Sequence, residues 1–501
     1  MNVARPSTPS AAAPPQAPPT VTPLTESTAE AYVARTCFKI GPPTRLGVEL
    51  EWLVHDSRQP HSSPAPERVG AALAALDLHP DLSSLPGGSR ITREPGGQVE
   101  LSSPAAEDLT ACVRTAGQDL STLRAAFAAQ GLTLAGYGTE PHPRARQLTQ
   151  RQPRYLAMEE FFGRSGPWGK IMMCVTASTQ VCLDAGTEAS GADGFRERWQ
   201  LAHRLGPVLV AAFANSPLLD GRRTGYRSAR QAVWARMDPS RTLAPRGGDP
   251  REAWARYVLD AQLLCVRRPH GLPWNAPVGQ TFRDWLRGPE ADRPSLSDLE
   301  YHVGTLFPPV RPRGYLELRM IDAQPGDGWI VPVALAAALF SDQRAADAAL
   351  AALEPLSAAS AEPGPRGAAW TRAAARGMDD PVLRRAALDC FAAADAALSR
   401  AGVDGRIRDT LAEFRDRYPA RGRCPADDLL DDAPGSERHR LLAGAPGPEA
   451  SGLLDNAPGP EDDRLLAGAP DLGKHDPIDH APDWPEDPED RRDSGEDDAS
   501  C

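Results

Sequence analysis

The sequence is nearly empty of lysine. Three residues, Lys39, Lys170 and Lys474, stand against 52 arginines. With 51 prolines and abundant alanine, this is the imprint of a GC-rich coding sequence and carries no chemistry. The eight cysteines (37, 112, 174, 182, 265, 390, 424, 501) include no CxxC pair, and no histidine stands at zinc spacing from them. That excludes a disulfide scaffold or a zinc-ribbon type of site and points to reduced thiols in a cytoplasmic setting. No basic segment followed by an apolar core marks a secretory signal at the N-terminus. The longest apolar run, Ile330 to Phe340, is 11 residues and contains Pro332. It is too short to span a bilayer. A Walker-type GxxxxGK[ST] and the protein-kinase signature set are both missing, so a nucleotide would be held mainly through its metals.

What is present divides into three parts. Residues 1–24 hold seven prolines in low-complexity sequence and are expected to be a disordered extension. Residues 25–425 are expected to form the folded body, which is ample for one large core. Residues 426–501 are expected to be a disordered acidic tail. Its Leu-Leu-x-x-Ala-Pro unit begins at Leu429, Leu441, Leu453 and Leu465, a 12-residue period too poor in apolar residues to stack as a solenoid. The formal net charge of −12 belongs to this tail. From Cys424 onward there are 22 acidic and 6 basic residues, and residues 1–423 balance to +4. A nearly neutral body gives no reason to expect nucleic acid as a partner.

Within the body, Thr25 is placed to start a helix and Leu46 the first strand. The second half reads as helical. Asp380 caps a helix entered at Pro381 and closed by Gly402, with Leu383, Ala387, Phe391, Ala394 and Leu398 as its apolar stripe. A following helix carries Ile407, Leu411, Phe414 and Tyr418 and stops at Pro419.

Four segments read as strands with one charged face, because side chains two apart share a face. Glu49 and Glu51 oppose Val48, Leu50 and Trp52. Gln98, Glu100 and Ser102 oppose Val99 and Leu101. In Cys174–Leu183, Thr176, Ser178 and Gln180 oppose Val175, Ala177, Val181 and Leu183. Glu317 and Arg319 oppose Leu316, Leu318 and Met320. Any one of these alone is an ordinary half-buried strand with a solvated face. As a set they place four carboxylates together, and such a face repels itself unless cations neutralise it. Glu49, Glu51, Glu100 and Glu317 therefore suit Mg²⁺, which takes carboxylates together with substrate phosphates. Arg319 is placed to meet a phosphoryl or carboxylate oxygen.

The segments Gly47-Val-Glu-Leu-Glu51, Arg93-Glu-Pro-Gly-Gly-Gln-Val-Glu-Leu-Ser102, Pro153-Arg-Tyr155, Met172–Asp184 and Tyr315–Pro325 resemble, in order, those of plant-type and bacterial glutamate–cysteine ligases. The similarity is strongest to the actinobacterial branch that supplies ergothioneine synthesis. It implies an α+β, glutamine-synthetase-like carboxylate–amine ligase domain, with an antiparallel sheet and helices packed behind it. It also implies Glu49, Glu51, Glu100 and Glu317 as metal ligands, and Arg319 with Glu317 at the transferring phosphoryl group. Glu94, Arg154, Tyr155, Thr176, Gln180, Arg230 and Trp234 fall at substrate-lining positions. Cys182 departs from the Asn of plant relatives and leaves the acceptor less firmly set than the reaction class.

The implied reaction consumes Mg²⁺-ATP. The γ-carboxylate of glutamate attacks the γ-phosphorus, and the amine of cysteine then displaces phosphate from the acyl phosphate. Three alternatives stay open on the residues alone: a ligase using another amine, a kinase of the same fold that stops at phosphoryl transfer, and a catalytically dead binding protein. His142, His203 and His270 read as structural rather than catalytic.

Overall fold

A computed structural model describes residues 24–76, 85–269, 271–358 and 364–433. The expected N-terminal extension, His270 and all but the start of the repeat tail lie outside them.

Nine strands are described: β1 (Leu46–Asp56), β2 (Arg90–Arg93), β3 (Val99–Ser102), β4 (Leu132–Ala135), β5 (Ser178–Asp184), β6 (Leu218–Leu219), β7 (Arg222–Arg223), β8 (Val310–Pro312) and β9 (Tyr315–Asp322). Seven form one antiparallel sheet in the order β2-β3-β1-β5-β9-β8, with β4 pairing the far end of β1. The strands β6 and β7 make a separate hairpin. All four segments with alternating charge thus lie side by side in one sheet.

Alternation decides which face is which. Val48, Leu50, Trp52, Val99, Leu101, Val181, Leu183, Leu316, Leu318 and Met320 enter the main hydrophobic core. Helices Leu109–Ala129, Phe195–Ala212 and Ile330–Ser341 cover them, and Pro381–Arg400 packs behind these helices. Each such side chain, fully buried, contributes about 1.5–3 kcal/mol. The apolar run Ile330–Phe340 is part of this core, and among the described residues no helix is long and apolar enough to cross a membrane.

The α+β expectation holds, as does the helical C-terminal half. Thr25 caps the first helix, and Asp380 accepts from the amides of Val382 and Leu383 ahead of Pro381–Arg400. Two expectations need correction. Cys174 and Val175 are not strand: they end the helix Trp168–Val175, and β5 starts only at Ser178. Thirteen consecutive buried residues across that junction, 171–183, have no period to separate helix from strand. The folded body also runs past residue 425, because Pro425–Asp432 is a helix. The Ala426 amide donates to the Ala214 carbonyl (2.9 Å), and Arg227 pairs with Asp427 (2.8 Å). The first repeat unit starts inside that helix.

Candidate active site

The opposite face of the sheet is built from carboxylates. Glu51 stands directly across from Glu100, and Glu49 lies between Ser102 on β3 and Gln180 on β5. Glu317 on β9 is the register partner of Cys182, and Arg311 on β8 is the next residue along that row. A register shift between Thr179 and Val181 gives β9 one extra residue there, which sets Arg319 beside Gln180.

Neighbouring groups fix these side chains. Glu51 accepts from the Ser178 amide (2.8 Å) and the Gln180 side-chain amide (2.9 Å). Glu100 accepts from the Thr92 and Ser102 hydroxyls (2.9 and 3.1 Å). Arg319 donates to the Gln180 side-chain carbonyl (2.5 Å) and to Glu317. Arg311 grips both oxygens of Glu317, at 2.7 and 2.9 Å.

The electrostatics divide the acids in two. Burial, then the charges of Glu317 and Glu100, push the Glu49 carboxyl well above its ordinary range. Burial, then Glu94 and Glu51, push Glu100 up to about 8. Glu317 is the most enclosed, with no exposed surface. Burial pushes it up too, but Arg311 and Arg319 outweigh that and hold it at about 2. Arg319 is disfavoured by burial and held charged by Glu317, Glu49 and Glu51. Protons raised onto a cluster of oxygen ligands mark a place short of positive charge. An all-oxygen donor set of that kind fits a hard divalent cation such as Mg²⁺.

The loop between β2 and β3 reaches this face by unusually close backbone contact. The Gly96 amide donates to the Met173 carbonyl (3.1 Å), and a Cβ at Gly96 would lie 2.3 Å from the Cys174 Cα. Gln98, buried, donates to the carbonyls of Met173 and Thr176. The loop carrying Glu94 is thereby fastened to the end of the helix Trp168–Val175.

The structure therefore gathers Glu49, Glu51, Glu94, Glu100, Glu317, Arg319 and Gln180. The other expected substrate residues stand differently. Arg230 is almost fully buried beneath β9, where it donates to the carbonyls of Arg319 (2.9 Å) and Ile321 and faces Asp322 at 3.7 Å. The Thr176 hydroxyl donates to the Met172 carbonyl (2.7 Å) at the helix end. Trp234 belongs to a second apolar cluster with Phe161, Phe162, Trp168 and Met172, and Tyr155 packs against it. Arg154 lies over the Tyr301 ring and donates to the Gly304 carbonyl (3.1 Å). This cluster meets the charged face at Phe307, whose ring is 6.1 Å from that of Trp234 and 5.9 Å from the Arg319 guanidinium. Arg311 is the residue that sequence reading missed. It sits in Pro309-Val-Arg-Pro312, where two prolines hide a three-residue strand; its one signal is the Arg-x-Arg pair just ahead of Tyr315.

Glutamate–cysteine ligase EgtA of Mycolicibacterium smegmatis is 39% identical over 411 residues, covering 80% of this chain and 90% of that protein. The Mycobacterium tuberculosis EgtA is 39% identical over 420 residues, covering 81% and 90%. The chloroplastic glutamate–cysteine ligase of Medicago truncatula is 33% identical over 248 residues, 48% of each chain. Among solved structures, a glutamate–cysteine ligase of Francisella tularensis in complex with AMP superposes with a TM-score of 0.45 at 13% identity, covering 81% of this chain and 88% of that one. The sequence model of glutamate-cysteine ligase family 2 matches residues 45–444, and the chain belongs to that family.

Proposed function

We propose that this chain is an ATP-dependent glutamate–cysteine ligase that joins the γ-carboxylate of L-glutamate to the amine of L-cysteine. The observation that carries the reading is one sheet face that holds Glu49, Glu51, Glu100 and Glu317 together with Arg319. Glu49, Glu51, Glu100 and Glu317 are the residues that would hold Mg²⁺, which when bound neutralises the phosphate oxygens of ATP. Arg319, held between Gln180 and Glu317, would meet the γ-phosphoryl group as negative charge develops there. Arg311, together with Arg319, favours the ionised form of Glu317, the form that a metal ligand needs. Arg230 holds the backbone of β9 from behind and so sets the position of Arg319. By the resemblance, Glu94, Arg154, Tyr155, Thr176, Gln180 and Trp234 would line the space beside this face where the amino acids bind.

The product would feed ergothioneine synthesis, as in the actinobacterial branch that the motifs resemble, and the cysteine pattern fits a cytoplasmic enzyme. The folded, catalytic part is residues 25–433. Mass spectrometry of a mixture of enzyme, glutamate, cysteine and Mg²⁺-ATP tests the reading. γ-Glutamylcysteine with ADP and phosphate is expected. A poor but measurable reaction with 2-aminobutyrate is also expected, since losing one small group is discriminated on the order of 10- to 200-fold. A better rate with glycine or ammonia removes cysteine as the acceptor, and ADP formation without any amide removes the ligase.

A further inference from the structure

Farther along β1, beyond the carboxylates, lies a second cluster of different chemistry. His55 is four residues past Glu51, about 13 Å along the strand. Across from it, Glu140 and His142 come from the segment after β4. The ligand atoms of His55, Glu140 and His142 all lie within 4.8 Å of one another. His55 and Glu140 are buried, at 5% and 2% exposed, with His55 Nε2 3.0 Å from Glu140 Oε2. A third imidazole adjoins them. His61, on the turn after β1, has its ring 4.4 Å from that of His142 and edge-on to it. These four residues span 88 positions of sequence, so no spacing motif announces them.

The supports of this cluster are rigid. The Glu140 amide donates to the Val175 carbonyl (2.9 Å), the Thr139 hydroxyl to the Leu218 carbonyl (2.7 Å), and the Gly221 amide to the Pro141 carbonyl (2.8 Å). Arg144 donates to the carbonyls of Val54 (2.9 Å) and Pro60 (2.5 Å), tying the His61 turn to the same segment. The other oxygen of Glu140 accepts from the His142 amide (3.1 Å), which orients the carboxylate as the outer partners of metal ligands do.

We propose that His55, Glu140 and His142, with His61 as a fourth ligand, form a binding site for a borderline transition-metal ion such as Zn²⁺. Two imidazoles and a carboxylate are the ligands such ions select, and a tetrahedral site needs them about 3.3 Å apart, which small rotations of these side chains supply. The same set is unsuited to Mg²⁺, so this site is chemically separate from the all-oxygen face at Glu49. The opposing charge is Arg144, 3.2 Å from Glu140 Oε2. Its two carbonyl partners retain it when a cation takes that oxygen, and its presence keeps affinity moderate. The bound ion would clamp the end of β1 and the His61 turn to the segment 139–144.

The test uses the full chain, stripped of metal and then saturated with Mg²⁺, so that the oxygen-lined face is occupied. Titration with Co²⁺ is expected to give one equivalent of the visible absorption of four-coordinate cobalt, lost on adding one equivalent of Zn²⁺, with a rise in melting temperature. His142→Gln should weaken Co²⁺ binding by roughly tenfold or more, while its Mg²⁺-ATP turnover and circular dichroism stay as in the wild type. His61→Gln, on an exposed turn, should weaken it less. Absence of the visible band, or a band unchanged in both variants, overturns the site.

Discussion

Glu51 and Glu100 are direct register partners across β1 and β3. Burial, then the Glu94 and Glu51 charges, raise the Glu100 carboxyl to about 8, so near neutral pH the folded chain must take up a proton there that the unfolded chain releases, which costs stability. Glu100→Gln should therefore melt higher than the wild type in chelator and gain less from added Mg²⁺. Its turnover should fall on the order of 10²-fold, the scale of losing one charge-stabilising group. Thermal melts with and without Mg²⁺ check this; a variant less stable in chelator contradicts that cost.

Arg311 and Glu317 form a buried bidentate pair. Arg311→Met leaves the carboxylate with Arg319 alone and should cost about 3–5 kcal/mol of stability, together with most of the turnover. Glu317→Gln is nearly isosteric and should lose most activity while keeping the wild-type circular dichroism. Urea denaturation and steady-state rates separate the two. Near-normal turnover in Glu317→Gln would remove the carboxylate from the metal site.

His302 gives acid sensitivity with a definite sign. Burial, then the Arg241 charge, hold its pKa near 3, below the usual histidine value. Between about pH 6.5 and 3 the unfolded chain takes a proton there that the folded chain refuses. That stability is complete above 6.5 and is lost as pH falls, by about 1.4 kcal/mol per pH unit. The stability of His302→Gln relative to the wild type should thus rise steadily from pH 7 to pH 5. Urea titrations at three pH values measure it, and a constant difference would contradict the burial of a neutral ring.

Removal of residues 434–501 should leave turnover within a few-fold of the full chain, because the repeats carry little apolar surface to bury. A cut after Cys424 should instead lower the melting temperature. It deletes Asp427, partner of Arg227, and Asp428, which accepts from the Tyr418 hydroxyl at 2.8 Å. Melting curves of the two truncations distinguish these outcomes; a large drop on removing residues 434–501 alone would mean that the tail docks.

Period-two alternation made the charged faces of β1, β3 and β9 legible, since Glu49, Glu51, Glu100, Glu317 and Arg319 each follow an apolar neighbour that had to go inward. The capped helix at Asp380 was equally plain. Cys174 and Val175 were not, because a continuous apolar stretch suits a buried helix and a buried strand alike. Arg230 and Thr176 lie close to the site in sequence motif, but their polar atoms are taken up by backbone carbonyls, which only tertiary contact reveals. Arg311 and the His55–Glu140–His142 cluster depend on pairings between distant segments that leave no local periodicity.

β1 serves three partners at once, β3, β5 and β4. Its odd positions carry Glu49, Glu51 and His55, with apolar Leu53 between them, and its even positions carry Val48, Leu50, Trp52 and Val54. The strand thus has a parity as strict as a codon's reading frame, since a shift of one residue turns every side chain to the opposite face. An in-frame deletion or insertion of one residue between Leu46 and Asp56 would send Trp52 onto the charged face and a glutamate into the core. In a library of single-residue insertions and deletions, this 11-residue segment is where tolerance should fall to nothing, while point substitutions along the same stretch remain graded.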